Sequence, residues 1–210
     1  MSTALLVVAH PRGDSLTAQV AGRARVGLEA EGFSVDLLDL HVEGFDPRMT
    51  VADEPDWADR EKVYSAEVRA HMRRVDAADL IVVVFPVWWY GLPAILKGWV
   101  DRVWNYGFAY GRSSPRLAEK RMLWLGLAGE SARSYARHGL DEMLERQLRV
   151  GISNYCGITD VAVQFVHDTI PEEPKADAVA TVLAEADSAL RDFLLPNLSS
   201  GAPDRAGTNG

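Results

Sequence analysis

The 210-residue chain carries a single cysteine, Cys156, so it can form no internal disulfide and must hold its fold by packing alone. A lone cysteine fits a reducing compartment and reads as a small buried hydrophobe. Basic charge is also scarce, with 22 Lys and Arg against 30 Asp and Glu and a formal net charge of −8. Neutralising phosphates takes a concentrated basic face, so no nucleic-acid surface is expected. Long apolar runs are missing too. The opening MSTALLVVAHPR has no basic leader, and its apolar stretch is too short for a signal peptide or a membrane span; the expectation is a cytoplasmic chain without membrane insertion. There is no internal repeat or linker, and nothing in the pattern asks for a metal.

What is present is the ordinary composition of a globular domain, 48% hydrophobic and 25% charged. Residues 4–9, ALLVVA, run apolar without alternation, the signature of a strand buried on both faces of a parallel sheet. Leu16, Val20, Ala24 and Leu28 then recur every four residues up to Gly32, which predicts an amphipathic helix stopped by glycine. Further strands are predicted at 33–38, 80–85, 121–128 and 159–166, and helices at 60–76, 93–104, within 139–150 and at 175–195. Strands alternating with helices imply right-handed crossovers and a single doubly wound α/β domain, with a parallel sheet and helices on both faces. That domain is expected to span 1–198. The small, polar stretch from Ser199 to Gly210 reads as a disordered tail. The connection 39–59 is long and carries Pro47, Pro55 and Trp57, so it reads as an ordered excursion touching ligand or a second subunit.

In such a sheet the ligand lies beyond the carboxyl ends of the strands, where the strand order reverses, so the loops after strands one, three and four are the places to look. The first, His10 to Thr17, sets Ser15 and Thr17 at a helix mouth, where free amides and the helix dipole attract phosphate, with His10 and Arg12 beside them. The plain alternative is that Ser15 only caps the helix. This loop has neither GxGxxG nor GxxxxGK[ST], so neither a dinucleotide fingerprint nor a P-loop accounts for it. The second, Pro86-Val87-Trp88-Trp89-Tyr90-Gly91-Leu92-Pro93, confines three aromatics between prolines and could wall a flat ring with backbone amides at its polar edge, or else plug the sheet edge or a dimer contact. The third begins Ala128-Gly129-Glu130 and continues through Tyr135 and His138, two groups able to donate a proton or hydrogen bond.

Together these residues resemble the NAD(P)H:quinone oxidoreductases of the flavodoxin-like superfamily, which also includes quinone reductase-like ancillary subunits of bacterial potassium efflux systems. The strongest likeness is FPVWWYGLPAILKGWVDRVWNYGFAYG at 85–111, with the pattern P-x-x-W-[YF]-x-x-P-A-x-L-K-x-W-x-D-[RK]-V almost complete. The loop A-H-x(4)-S-[LF]-[TN] at 9–17 agrees with it, and the layout is similar over roughly 4–195. The resemblance implies a sheet of order 2-1-3-4-5. It implies a flavin, FAD ahead of FMN, and NAD(P)H as co-substrate. His10, Ser15, Leu16 and Thr17 would surround the flavin phosphates, and Pro86, Val87, Trp88, Trp89 and Tyr90 would line the ring. Gly129 and Glu130 would add backbone contacts, and Tyr135 and His138 would be the catalytic pair. It further implies a homodimer acting on a quinone or other flat aromatic acceptor. Leu127-Ala128-Gly129-Glu130 stands where many members have Thr-Thr-Gly-Gly, which removes two hydroxyls, and the Gln that many relatives place near Met72 is missing, which leaves FAD against FMN open. The rival reading from another class is a flavin-binding regulatory or electron-transfer module that docks on a partner protein.

Overall fold

The computed structural model describes residues 1–113, 115–170 and 177–195. Its five parallel strands are β1 (Thr3–Val8), β2 (Ser34–Asp39), β3 (Leu80–Pro86), β4 (Arg121–Leu127) and β5 (Asp160–Val166). They lie in the order β2-β1-β3-β4-β5, the arrangement expected. The unalternating apolar runs mark strands with helices on both sides. Along β1, Leu5 and Val7 feed one core layer while Ala4, Leu6 and Val8 feed the other. Two further helices flank each side of this sheet: α1 (Leu16–Ala30) and the last helix (Ala178–Leu194) build one layer, and α2 (Ala66–Ala77) and α3 (Ala94–Val103) build the other.

The main departures lie between β4 and β5. In place of one helix within 139–150 there are α4 (Ala132–His138) and α5 (Leu140–Glu145), then a π-helical stretch (Arg146–Ser153) and a short 3₁₀ turn (Asn154–Cys156); the last helix of the chain is therefore α6 (Ala178–Leu194). The wide π-turn has a local reason. The hydroxyl of buried Ser153 donates to the Leu148 carbonyl five residues back at 2.8 Å and accepts the indole N–H of buried Trp124 at 3.0 Å. Helix α2 starts at 66 and not at 60, because Ser65 is its N-cap, with its hydroxyl accepting from the Val68 amide. The expected helix at 175–195 is seen from Ala178, and its first two positions, like the tail from Ser199, lie outside the described residues. Cys156 is buried, and burial pushes its thiol up to about 12, in keeping with a packing role.

The 39–65 connection is ordered around one buried carboxylate. Asp53 accepts hydrogen bonds from the Ser65 amide (2.8 Å), the Ser65 and Thr50 hydroxyls and the Arg102 guanidinium (2.7 Å). Pro47 rests directly on Gly98 of α3, where a Cβ would lie 2.2 Å from the Pro47 carbonyl oxygen. The segment is thereby pinned to α3. Among the described residues no helix is long and apolar enough to cross a membrane.

Candidate active site

Because β1, β3 and β4 are neighbours, the loops leaving their carboxyl ends converge on one edge of the sheet, with the reversal of strand order between β1 and β3. The rings of His10 and Trp88, 6.0 Å apart, join the first loop to the second.

In the first loop Ser15 is the N-cap of α1, and its Oγ accepts from the Ala18 amide at 3.1 Å. That leaves its hydroxyl proton free to donate. The Leu16 and Thr17 amides sit in the first turn, where no intrahelical acceptor is available. His10 Nδ1 accepts from the Arg12 amide at 3.1 Å, so its proton belongs on Nε2. Burial is the main reason that its pKa lies below the usual histidine value, and the ring is a neutral donor near pH 7.

The second loop is a tight hairpin. Trp88 N–H donates to the Gly91 carbonyl (3.2 Å) and Gly91 N–H to the Trp88 carbonyl (3.1 Å). The two corner residues, Trp89 and Tyr90, have φ of 50° and 52°. Two consecutive left-handed residues make a type I′ corner, which favours Asn-Gly, and a bulky side chain there costs on the order of 1–3 kcal/mol. Trp89 is nevertheless 96% exposed. Tyr90 is held from across the site, its hydroxyl donating to Glu130 Oε1 at 2.8 Å.

Tyr135 and His138, expected on a loop, lie on α4. Ser131 caps that helix by accepting from the Ser134 amide, and Gly139 ends it at φ 65°; in seven residues so polar, these local caps are the sequence signal. Tyr135 is buried, with its ring 5.9 Å from that of Tyr90 and 4.9 Å from that of His167. Burial first, then the nearby Tyr90, Glu130 and Asp141, push its phenol up to about 12, so it keeps its proton throughout the physiological range. Hydrogen bonds from Ser134 (2.6 Å) and Tyr90 hold the Glu130 carboxyl below the usual range. His138 is exposed at the end of α4.

Val87, Trp89, Tyr90, Gly129, Glu130, Tyr135 and Ile170 line one cavity of about 350 Å³. The amides of Trp89, Tyr90, Gly129 and Glu130 make no hydrogen bond among the described residues. Of the residues singled out from sequence, His10, Ser15, Leu16, Thr17, Pro86, Trp88 and His138 are not in its wall; His10 meets Trp88 of the second loop, and Pro86 is the buried end of β3. Ile170, His167 and Asp141 were not anticipated; the signal available was that His167 and Ile170 follow the end of a strand. A larger apolar cavity of about 740 Å³ between α1 and α6 contains none of these residues.

Residues 2–190 match the family described as having the flavodoxin-like fold. A relative in Escherichia coli, the uncharacterized NAD(P)H oxidoreductase YcaK, is 41% identical over 165 residues, which are 79% of this chain and 83% of that protein. The chain belongs to the flavodoxin-like NAD(P)H:quinone oxidoreductase family. The rat ribosyldihydronicotinamide dehydrogenase (quinone) is 30% identical over 183 residues, 77% of this chain and 79% of that one. Among solved structures, an NAD(P)H:quinone oxidoreductase from Methanothermobacter marburgensis shares the fold, with a TM-score of 0.82 at 23% identity, over 93% of this chain and 98% of that one. As a member of this family the chain is an oxidoreductase.

Proposed function

We propose that the chain is a flavin-dependent NAD(P)H:quinone oxidoreductase. The observation that carries this reading is the cavity lined by Trp89, Tyr90 and the buried Tyr135 together with Gly129 and Glu130, in which the amides of Trp89, Tyr90, Gly129 and Glu130 make no hydrogen bond among the described residues. The residues fit a flat heterocycle with a polar edge. The Trp89 indole is exposed at a strained corner where only a ligand or a second subunit would cover it, and the backbone at Gly129 is close-set, since a Cβ there would come 3.2 Å from Ile170 Cδ1.

Ser15, Leu16, Thr17 and His10 would hold phosphate by donated hydrogen bonds at the start of α1. Pro86 to Tyr90 would form the wall against the ring, and the amides of Gly129 and Glu130 would meet its polar edge. When bound, a flavin supplies the two-electron chemistry, taking hydride from NAD(P)H and giving it to a quinone or other flat acceptor in alternating turns. Tyr135 holds a proton on its phenolic oxygen and presents it to the negative charge that develops in the transition state. His138, which the resemblance pairs with Tyr135, stands outside the cavity wall, so the reading rests on Tyr135. FAD stands ahead of FMN on the resemblance alone.

The test is colour. The purified protein should be yellow, bleach anaerobically on NADPH or NADH, and recover its colour when a quinone is added. A colourless protein that takes up no added flavin would end the proposal. A yellow protein that neither nicotinamide bleaches would favour the regulatory or electron-transfer module.

A further inference from the structure

We propose that His167, clamped by Asp141, is the residue that positions Tyr135 in the candidate active site, an inference that rests on the functional reading above. His167 is the first residue after β5, and its Nε2 lies 3.0 Å from Oδ1 of Asp141, near the start of α5. A carboxylate only accepts, so the imidazole donates from Nε2 and its orientation is fixed by that bond. The imidazole then meets the Tyr135 ring edge to face, at 4.9 Å and 76°.

The Tyr135 ring also meets Tyr90 at 5.9 Å. Tyr135 therefore touches two rings, each anchored by a carboxylate: Tyr90 by Glu130 and His167 by Asp141. The backbone beneath His167 is equally constrained. Asp168, at φ 55°, turns the chain back toward the loop after β4. There its amide donates to the Glu130 carbonyl (2.9 Å), while the Thr169 amide and hydroxyl both donate to the Ala128 carbonyl (3.1 and 2.9 Å). With the main chain so stitched, the remaining freedom is rotation of the imidazole, and Asp141 removes it. His138 makes no ring contact with Tyr135 among the described residues and is exposed. A catalytic hydroxyl displaced by about 1 Å can cost on the order of a hundredfold in rate, so the orientation of this pair sets how well Tyr135 acts.

The experiment uses the full-length flavin-loaded protein and the variants Asp141→Leu, His167→Ala and Tyr135→Phe. Asp141→Leu keeps the size of a part-exposed side chain, removes both acceptor oxygens, and serves if His167→Ala does not fold. We expect Asp141→Leu to lower kcat for quinone reduction by about tenfold to a hundredfold with KM changed by less than about twofold. Combined with Tyr135→Phe it should cost nothing further, since both changes remove one device. In parallel, the Tyr135 ring resonances should move in Asp141→Leu, as read by aromatic NMR without nicotinamide or quinone. Additive losses, or unmoved Tyr135 resonances, would make the pair a latch between β5 and α5 and overturn the inference. A loss carried by His138→Ala with none in Asp141→Leu would overturn it as well. If the parent protein oxidises no NAD(P)H, the functional reading fails, and the NMR arm still decides whether His167 positions Tyr135.

Discussion

Trp88 and Trp89 are neighbours in sequence and differ in circumstance. Trp88 is 45% exposed, with its ring turned to His10, while Trp89 is 96% exposed and lines the cavity wall. A ring that lies flat on another aromatic adds about 0.5–1.5 kcal/mol beyond its buried area, and only Trp89 lines the cavity that would supply such a partner. Trp89→Ala should therefore raise the flavin dissociation constant about tenfold more than Trp88→Ala, measured by fluorescence titration of the two stripped proteins. Equal dissociation constants would remove the distinction between them. The pair matters for reading sequence as well, since the family pattern already favoured Trp89, and the reason for it is a backbone corner that no side-chain pattern displays.

Among elements, the hairpin 88–91 and the 39–65 connection carry opposite strategies. The hairpin places an indole and a phenol where φ is positive, spending stability on the site. Trp89→Asn should relieve about 1 kcal/mol of that strain and raise Tm by about 2–4 °C while weakening flavin binding, as calorimetry on the stripped protein would show. The connection instead adds stability through Asp53. Burial pushes that carboxyl up, and the hydrogen bonds from Arg102, Ser65 and Thr50 outweigh burial and leave it below the usual range. A carboxyl whose folded pKa is depressed stabilises at every pH above its unfolded value and loses that contribution as pH falls through the folded one. Asp53→Asn leaves the buried Arg102 with the part-exposed Glu67, at 2.8 Å, as its remaining carboxylate among the described residues, beside its bond to the Asp46 carbonyl. The cost should lie toward the lower end of about 3–5 kcal/mol at neutral pH. The gap from the parent in urea melts should narrow below about pH 4, the unfolded carboxylate value; a gap constant from pH 7 to 3 would exclude the ionised pair as its cause.

At the scale of the molecule, large aromatics stand uncovered at separate places: Trp89 at the site, and Trp57 and Tyr155, which both meet Tyr110 in a group of edge-to-face and tilted rings with Tyr106. Such residues are expensive to leave in water, and the mutual repulsion of copies carrying a net charge of −8 does not cover them. We predict a homodimer, the commonest closed assembly, which can bury such patches across its two-fold axis. Sedimentation at micromolar concentration should give twice the chain mass, and a monomer there would refute it.

The sequence by itself determined the fold class, the strand positions to within a residue or two, and which three loops would meet, because buried parallel strands need unbroken apolar runs and their carboxyl ends must face the same way. It also determined that Trp89, Tyr90, Gly129, Glu130 and Tyr135 would be near one another, as residues of those loops. Tertiary structure alone decided what touches Tyr135. The residue that packs on it, His167, follows the end of β5, and the carboxylate that holds it, Asp141, comes from α5, 26 positions away in the chain. No local period or motif records such a meeting; it exists because β4 and β5 pair in register and bring the ends of two crossovers together.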